Sequence, residues 1–215
     1  MVSRRRVYDR VVALQERLRR RVVRRDDLDR VRLVAGIDVS VRGDRSRAAV
    51  VVLDAKTLAP VEARTAERKT PFPYIPGLLS FREIPVILPA FRRLRARPDL
   101  AIVDGMGLAH PRRFGLACHL GVLLGLPTIG CGKSLFIGTH DEPARRRGSW
   151  EPLTHGGETV GAAVRTQDDV NVVYASIGHR VTLRTAIRWI LRTATRFRLP
   201  EPIRAAHHEA GRWAS

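Results

Sequence analysis

Cysteine is scarce: of 215 residues only Cys118 and Cys131 carry a thiol. Both stand among apolar neighbours, and neither has a second Cys or a His at metal-ligand spacing. Buried, reduced thiols are therefore expected, in place of a disulfide framework or a zinc site. Long apolar runs are missing too. None approaches the roughly 20 residues that cross a bilayer, and the opening Met1-Val2-Ser3-Arg4-Arg5-Arg6 has no apolar stretch of a secretory signal. A soluble, cytoplasmic protein with no membrane span is expected. Lysine is nearly absent, with three against 36 arginines, and acids are outnumbered 21 to 39 by basic residues. A compositional preference for arginine over lysine explains the choice of cation. It does not explain a formal charge of +18 and a pI near 11.5, which call for a polyanionic partner, nucleic acid ahead of an anionic membrane surface. There is no internal repeat and no low-complexity segment, and the length suits one well-buried core. We expect a single domain over residues 1–215, with an N-terminal helix at about 6–23 and a core at about 31–212. No extensive apolar face is left over for a dimer, so a monomer is expected.

What is present follows a regular order. Val7, Val11, Leu14, Leu18 and Val22 recur at helical spacing and predict an amphipathic helix with a basic outer face. Arg24 to Asp29 reads as a charged linker with nothing to bury. Strands are expected at Leu33–Val39, Ala48–Leu53 and Val61–Ala66, a three-stranded antiparallel meander turned at Arg42–Arg45 and Asp54–Pro60. A proline-punctuated loop over residues 67–80 leads into a helix of about 14 residues from Ser80. Pro85 fits the first turn of that helix, whereas Pro89 should kink or shorten it. Leu100, Ala101, Ile102 and Val103 form an unbroken apolar run, as a strand covered on both faces would, followed by Asp104. A helix near Arg113–Leu124, a short strand at Pro127–Gly130, an exposed basic loop over residues 138–150 and strands at Val160–Arg165 and Asn171–Ser176 come next. Thr182 is placed to cap a helix to Phe197, and Pro202 to start a last helix. The order suggests an α/β fold with a mixed central sheet and helices on both faces.

Three carboxylates stand out. Asp38 and Asp104 each end an apolar strand, where open α/β sheets place their chemistry, and Glu83 lies in the first turn of the intervening helix. If the first and fourth strands are neighbours, their ends lie about 4.8 Å apart, and the two aspartates can share a cation. Hard oxygen ligands without Cys or clustered His suit Mg²⁺ or Mn²⁺. On spacing alone, turn and capping roles account for each acid equally well. Gly105 and Gly107 let the backbone after Asp104 turn sharply or approach a ligand closely.

Three stretches together carry a resemblance: Val34-Ala35-Gly36-Ile37-Asp38-Val39-Ser40, Pro73-Tyr74-Ile75-Pro76-Gly77-Leu78-Leu79-Ser80-Phe81-Arg82-Glu83, and Val103-Asp104-Gly105 with His110-Pro111-Arg112-Arg113. With Pro127-Thr128-Ile129-Gly130, Lys133, Gly178-His179-Arg180 and Arg198-Leu199-Pro200-Glu201-Pro202, they resemble the signature of the endonuclease V family, over nearly the whole chain from about residue 8 to 210. The resemblance implies an RNase H-like fold. It also implies a DNA repair endonuclease that recognises deaminated bases, chiefly deoxyinosine, and cuts the second phosphodiester on the 3′ side to leave 3′-hydroxyl and 5′-phosphate ends. It makes Asp38 and Asp104 ligands of Mg²⁺, for which Mn²⁺ can substitute, Glu83 the third metal-site carboxylate, and His207 the C-terminal catalytic position. It makes Tyr74 a strand-separating wedge, with Pro73 and Ile75 beside it. Nucleic-acid contacts then fall to Arg82, His110, Lys133, Gly105 and Gly107. The alternatives are an inosine-specific or structure-specific nuclease acting on RNA or branched DNA, and a nucleic-acid-binding protein that has lost catalysis.

The residues argue beside the resemblance. Flanked by prolines, Tyr74 is presented with little ordering cost; such a ring fills the gap left by a flipped base or packs on the protein's own core. Lys133, one of three lysines, supplies a compact point charge suited to a phosphate, or is a solvated surface residue. His110 orients its loop, contacts substrate or caps a helix. His208 follows His207 about 100° further round a helix and should face away. His119, on an apolar face, reads as a core histidine. Met106 departs from the family pattern, which usually has His after Asp-Gly.

Overall fold

The computed structural model describes residues 4–70 and 72–213; the first three residues of the sequence and Pro71 of the expected loop lie outside them. Helix α1 (Arg4–Arg19) ends four residues earlier than its periodicity predicts. Its C-terminal half buries Leu18 against Phe114, Cys118 and Val122, while Val7 stays 39% exposed. The meander forms as expected from β1 (Leu33–Arg42), β2 (Arg45–Asp54) and β3 (Pro60–Lys69), each strand longer than its apolar core. Then come α2 (Leu79–Arg92), β4 (Leu100–Asp104), α3 (Leu116–Leu124), β5 (Thr128–Gly132), β6 (Trp150–His155), β7 (Glu158–Val164), β8 (Val173–His179), α4 (Leu183–Thr193) and α5 (Glu201–Gly211). The strands form one mixed sheet in the order β3-β2-β1-β4-β5-β8-β7-β6, parallel at β1–β4–β5 and antiparallel elsewhere.

Side-chain alternation sorts the two layers of helices. Val34, Val51, Leu100, Ile102 and Ile129 pack with Ile187 and Ile190 of α4 and Ile203 and Ala206 of α5. The neighbouring positions Ala35, Ile37, Val50 and Val103 face Ile84 and Ile87 of α2 and Leu116 and Leu120 of α3. The expected mixed sheet with helices on both faces is thus what forms. Cys118 and Cys131 are free and buried as expected, their thiols pushed up to about 12, chiefly by burial. Among the described residues, no helix is long and apolar enough to cross a membrane.

Several sequence expectations need correction. Helix α2 runs through both Pro85 and Pro89, and Pro85 is its seventh residue, well past the first turn. The amide N–H that Pro89 lacks would have met the Pro85 carbonyl, which instead accepts from Arg68 Nη1 at 3.0 Å, so the helix continues. Strand β6 was not foreseen: its alternation is short, and it begins at Trp150, inside the stretch read as an exposed basic loop. That stretch does expose Arg145, Arg146 and Arg147, yet buried Arg165 holds it down through Glu142 Oε1 (2.5 Å) and the Pro143 carbonyl (2.9 Å). Helix α4 keeps its Thr182 cap but ends four residues before Phe197. The charged linker has a function after all: Asp26 accepts from Thr182 N (2.8 Å) and Thr185 Oγ1 (2.9 Å), placing a carboxylate at the α4 N-terminus.

Candidate active site

Parallel pairing of β1 with β4 sets Ile37 opposite Val103, so Asp38 and Asp104 are the next residue on each strand. Asp104 ends β4, but Asp38, expected to end its strand, lies midway along β1, which runs on to Arg42 paired with β2 after β4 has stopped. Both aspartates share the parity of Val34, Leu100 and Ile102 and therefore point to the α5 side of the sheet. Helix α5 reaches them because Gly36 has no side chain: a Cβ there would lie 1.7 Å from the Pro202 carbonyl oxygen. The helix rests on bare β1 backbone, and five residues on from Pro202 its His207 puts Nδ1 2.8 Å from Asp38 Oδ2. Ligand atoms of Asp38, Asp104 and His207 all lie within 4.8 Å of one another. His208 is exposed and turned instead to Glu209, 3.5 Å away. The two aspartates and His207 therefore converge at one point.

Glu83 approaches from the opposite layer on α2, half-buried, and lines the same cleft without joining the close trio. Burial, followed by the fields of Asp38 and Asp104, pushes its carboxyl up to about 8 against the opposing pull of Arg82. Asp104 is pushed up to about 6, first by burial and then by Asp38. Lys133 Nζ lies 2.5 Å from Asp104 Oδ2. Burial works against its ammonium, but the bond to Asp104 and the fields of both aspartates outweigh it and raise its pKa. Three crowded carboxylates served by one close lysine leave negative charge uncompensated. This donor set of hard oxygens and one imidazole fits a divalent cation.

The cleft, about 560 Å³, extends from this acidic end to the loop that carries Tyr74. Tyr74 is 64% exposed, so it is not a core residue, and the Arg82 guanidinium stands 5.9 Å from its ring centroid. Among the described residues, Arg82 Nε is buried without a partner. The loop is held at one atom: the Gly77 carbonyl oxygen accepts from Gln15 Nε2 (3.0 Å), His110 Nε2 (3.0 Å) and Arg112 Nη2 (2.6 Å). Arg112 Nε also donates to Gln15 Oε1 at 2.6 Å. His110 Nδ1 accepts from the Arg112 amide, which leaves the ring proton on Nε2 to donate to Gly77. Burial, then the neighbouring Arg112, lowers the His110 pKa to about 4, keeping the ring neutral. His110 thus ties two loops together.

The remaining predicted residues separate by position. Gly105, at φ 146°, lines the cleft, as do Ile75 and Lys133. Gly107 does not; its missing Cβ would stand 2.0 Å from the Ile177 carbonyl oxygen, so it serves close packing on β8. Pro73 and Arg82 are also outside the lining residues. Met106 lines the cleft and covers Gly132, where a Cβ would meet its methyl at 2.2 Å. His119 is the expected core histidine, with Nδ1 3.0 Å from Ser80 Oγ and its pKa lowered to about 4 by burial. Sequence reasoning missed Gln15, which is 1% exposed. A glutamine on the buried side of an amphipathic helix was its one signal.

Comparison with known proteins agrees with this geometry. The family model described as Endonuclease V matches residues 16–208. The Endonuclease V of Roseiflexus sp. (strain RS-1) is 54% identical over 194 residues, covering 90% of this chain and 87% of that protein. Among solved structures, Endonuclease V from Streptomyces avermitilis superposes with a TM-score of 0.90 at 45% identity, covering 94% of this chain and 90% of that one. Ciona intestinalis Endonuclease V, in complex with a 24mer DNA containing an inosine followed by a ribo-adenosine, gives 0.83 at 28% identity and covers 95% and 96%.

Proposed function

Because the chain belongs to the endonuclease V family, we propose that it is a DNA repair nuclease that recognises a deaminated base, chiefly deoxyinosine. It hydrolyses the second phosphodiester on the 3′ side, leaving 3′-hydroxyl and 5′-phosphate ends, as a monomer in the cytoplasm. The observation that carries this reading is the convergence of Asp38, Asp104 and His207 within 4.8 Å at one end of a cleft whose other end presents Tyr74. The inosine-containing DNA bound by the Ciona relative is consistent with that cleft's chemistry.

Asp38, Asp104 and Glu83 would hold Mg²⁺, with Mn²⁺ as substitute. Such an ion supplies charge neutralisation and a water acidic enough to act at neutral pH. His207, fixed by Asp38, orients water at the open side of the site. Lys133 faces the phosphate while balancing Asp104. Tyr74, stiffened by Pro73 and Pro76 and backed by Arg82, fills the stack vacated by the flipped base, a step costing a few kcal/mol and least for a weakly paired base. His110 neutral and hydrogen-bonded to Gly77 keeps that loop in place, and Gly105 admits the substrate close to the backbone.

End-labelled DNA and RNA strands bearing one inosine each, incubated with Mg²⁺ or EDTA, test the reading. Cutting at the second bond 3′ to inosine, abolished by EDTA, is expected, with DNA ahead of RNA. Tight binding without any cutting would overturn it, and faster cutting of RNA would move the substrate to the alternative class.

Metal dependence has a thermal signature. Glu83 and Asp104 have folded-state pKa values of about 8 and about 6, above ordinary carboxylates. Their contribution to stability is full below the unfolded pKa and lost as pH rises through the folded value. The part of the metal-free protein's stability that comes from these two carboxylates should therefore fall between about pH 5 and pH 8, on the order of a few kcal/mol from Glu83, against an opposing gain up to about pH 6.5 from His110 and His119, which burial keeps neutral. A divalent cation reverses the loss by favouring the charged carboxylates. The gain in Tm on adding Mg²⁺ is expected to be larger at pH 8 than at pH 6. Equal gains at both would contradict the assignment.

A further inference from the structure

Away from the cleft, the outer face of α4 is strongly basic. This helix contains no acidic residue, and Arg184, Arg188 and Arg192 recur on it at every fourth position, all exposed. Arg147 is fixed beside them by donating to the carbonyls of Leu191 (2.8 Å) and Ala194 (3.4 Å), and Arg196 continues the row. Among the described residues, none of these five guanidinium groups lies within the 4.0 Å of a carboxylate that defines an ion pair. Some exposed arginines elsewhere do find one, as in Arg24 with Glu158 and Arg45 with Glu67, while others such as Arg92 and Arg97 do not; what sets this face apart is the regular spacing of its arginines along one helix. The surface is also shaped. Three depressions adjoin it and Arg192 lines all three, yet none shares a residue with the catalytic cleft. Each end carries an exposed ring: Trp150, 46% exposed, beside Arg147 and Arg184, and Phe197, 44% exposed, beside Arg196.

We propose that this face of α4 is a second nucleic-acid-binding surface, which holds the backbone of the polynucleotide beyond the segment seated in the cleft. The inference rests on the reading of the substrate as nucleic acid. Guanidinium groups one helical turn apart suit successive phosphates along a strand, because each planar fork takes phosphate oxygens in pairs. The exposed ring of Trp150 offers stacking to unpaired bases without regard to sequence, whereas Phe197 is already stacked by the Arg204 guanidinium, 3.5 Å from its ring centroid. The contact is sequence-independent: it raises affinity for long substrates and keeps the enzyme on the polymer between lesions.

R184S/R188S tests it, since neither side chain bonds another element; Arg188 reaches only Thr185 in its own helix. R92S/R97S, at exposed arginines outside this surface, is the control for lost charge. Binding of long undamaged DNA is read by fluorescence anisotropy across a salt series, so no cleavage is needed. The α4 variant is expected to bind roughly tenfold more weakly at low salt, and its salt slope to be shallower by about 1.8, two released phosphate contacts. The control should stay near the parent, and the cutting rate of a saturating short inosine strand should not change. An unchanged slope, or an equal loss in the control, overturns the proposal. So does retained DNA binding with lost binding to anionic lipid vesicles, which would make the partner a membrane. Loss of DNA binding in the α4 variant together with no cutting by the parent would separate the two readings, sparing this one and rejecting the catalytic one.

Discussion

Asp104→Asn is expected to cut an inosine-containing strand at least ~10³-fold more slowly than the parent while binding it equally well or better. The substitution keeps the shape of a side chain that is mostly buried and removes one of two charges that meet where the pairing of β1 with β4 stops. Transition-state stabilisation by a bound cation amounts to several kcal/mol, and each 1.36 kcal/mol is tenfold in rate. Binding should not suffer, because the lost group repels phosphate and Lys133, no longer paired 2.5 Å away, becomes free to attract it. Single-turnover cleavage beside anisotropy with the same strand separates the two effects. Near-parental cutting would remove Asp104 from the reaction. Parallel loss of cutting and binding would make it a structural residue.

Gly36→Ala is expected to be the most damaging small substitution outside the carboxylates. One methyl group 1.7 Å from the Pro202 carbonyl oxygen cannot be absorbed by a side-chain rotation, since the obstacle is backbone. Helix α5 must lift off β1, opening the layer built by Ile203 and Ala206. Overpacking of this kind costs about 3 kcal/mol or more, which in a chain of this size lowers Tm by about 10 °C. Cutting should fall further than stability requires, because lifting α5 withdraws His207 from Asp38. Gly211→Ala is the control: nothing lies within 4 Å of its added Cβ and its φ is not positive. Denaturant melts with cleavage measured well below the transition check the pair. A Gly36→Ala protein with parental Tm would show that α5 does not rest on that backbone.

The parts of this molecule that were legible in its sequence are those written in local periodicity. The apolar runs of β1, β2 and β4 and the stripe of α4 name their own faces, and Asp38 and Asp104 announce themselves by ending such runs. Their adjacency was not legible in the runs themselves, since strand neighbours are set by topology. The resemblance supplied it, and the β1–β4 register bears it out. Glu83 was found in the same way, although the site holds it slightly apart from the trio. What escaped depends on distant partners. Pro89 looked like a helix breaker because the Arg68 guanidinium that satisfies the freed carbonyl lies on β3. Gln15 looked incidental because its acceptor is 62 residues away. Strand β6 lacked a strong pattern because it is an edge strand with only Leu153 fully buried.

The bond between His207 and Asp38 joins residues 169 apart in the chain. Closing so long a loop is slow relative to local pairing, and translation delivers its two ends far apart in time. While the meander and β4 can pair early, the aspartate pair gains its imidazole only once α5 has been synthesised and has settled onto Gly36. A nascent chain that lacks α5 therefore carries the two aspartates without the imidazole that bonds Asp38. On the function proposed above, the site is complete only once α5 has docked.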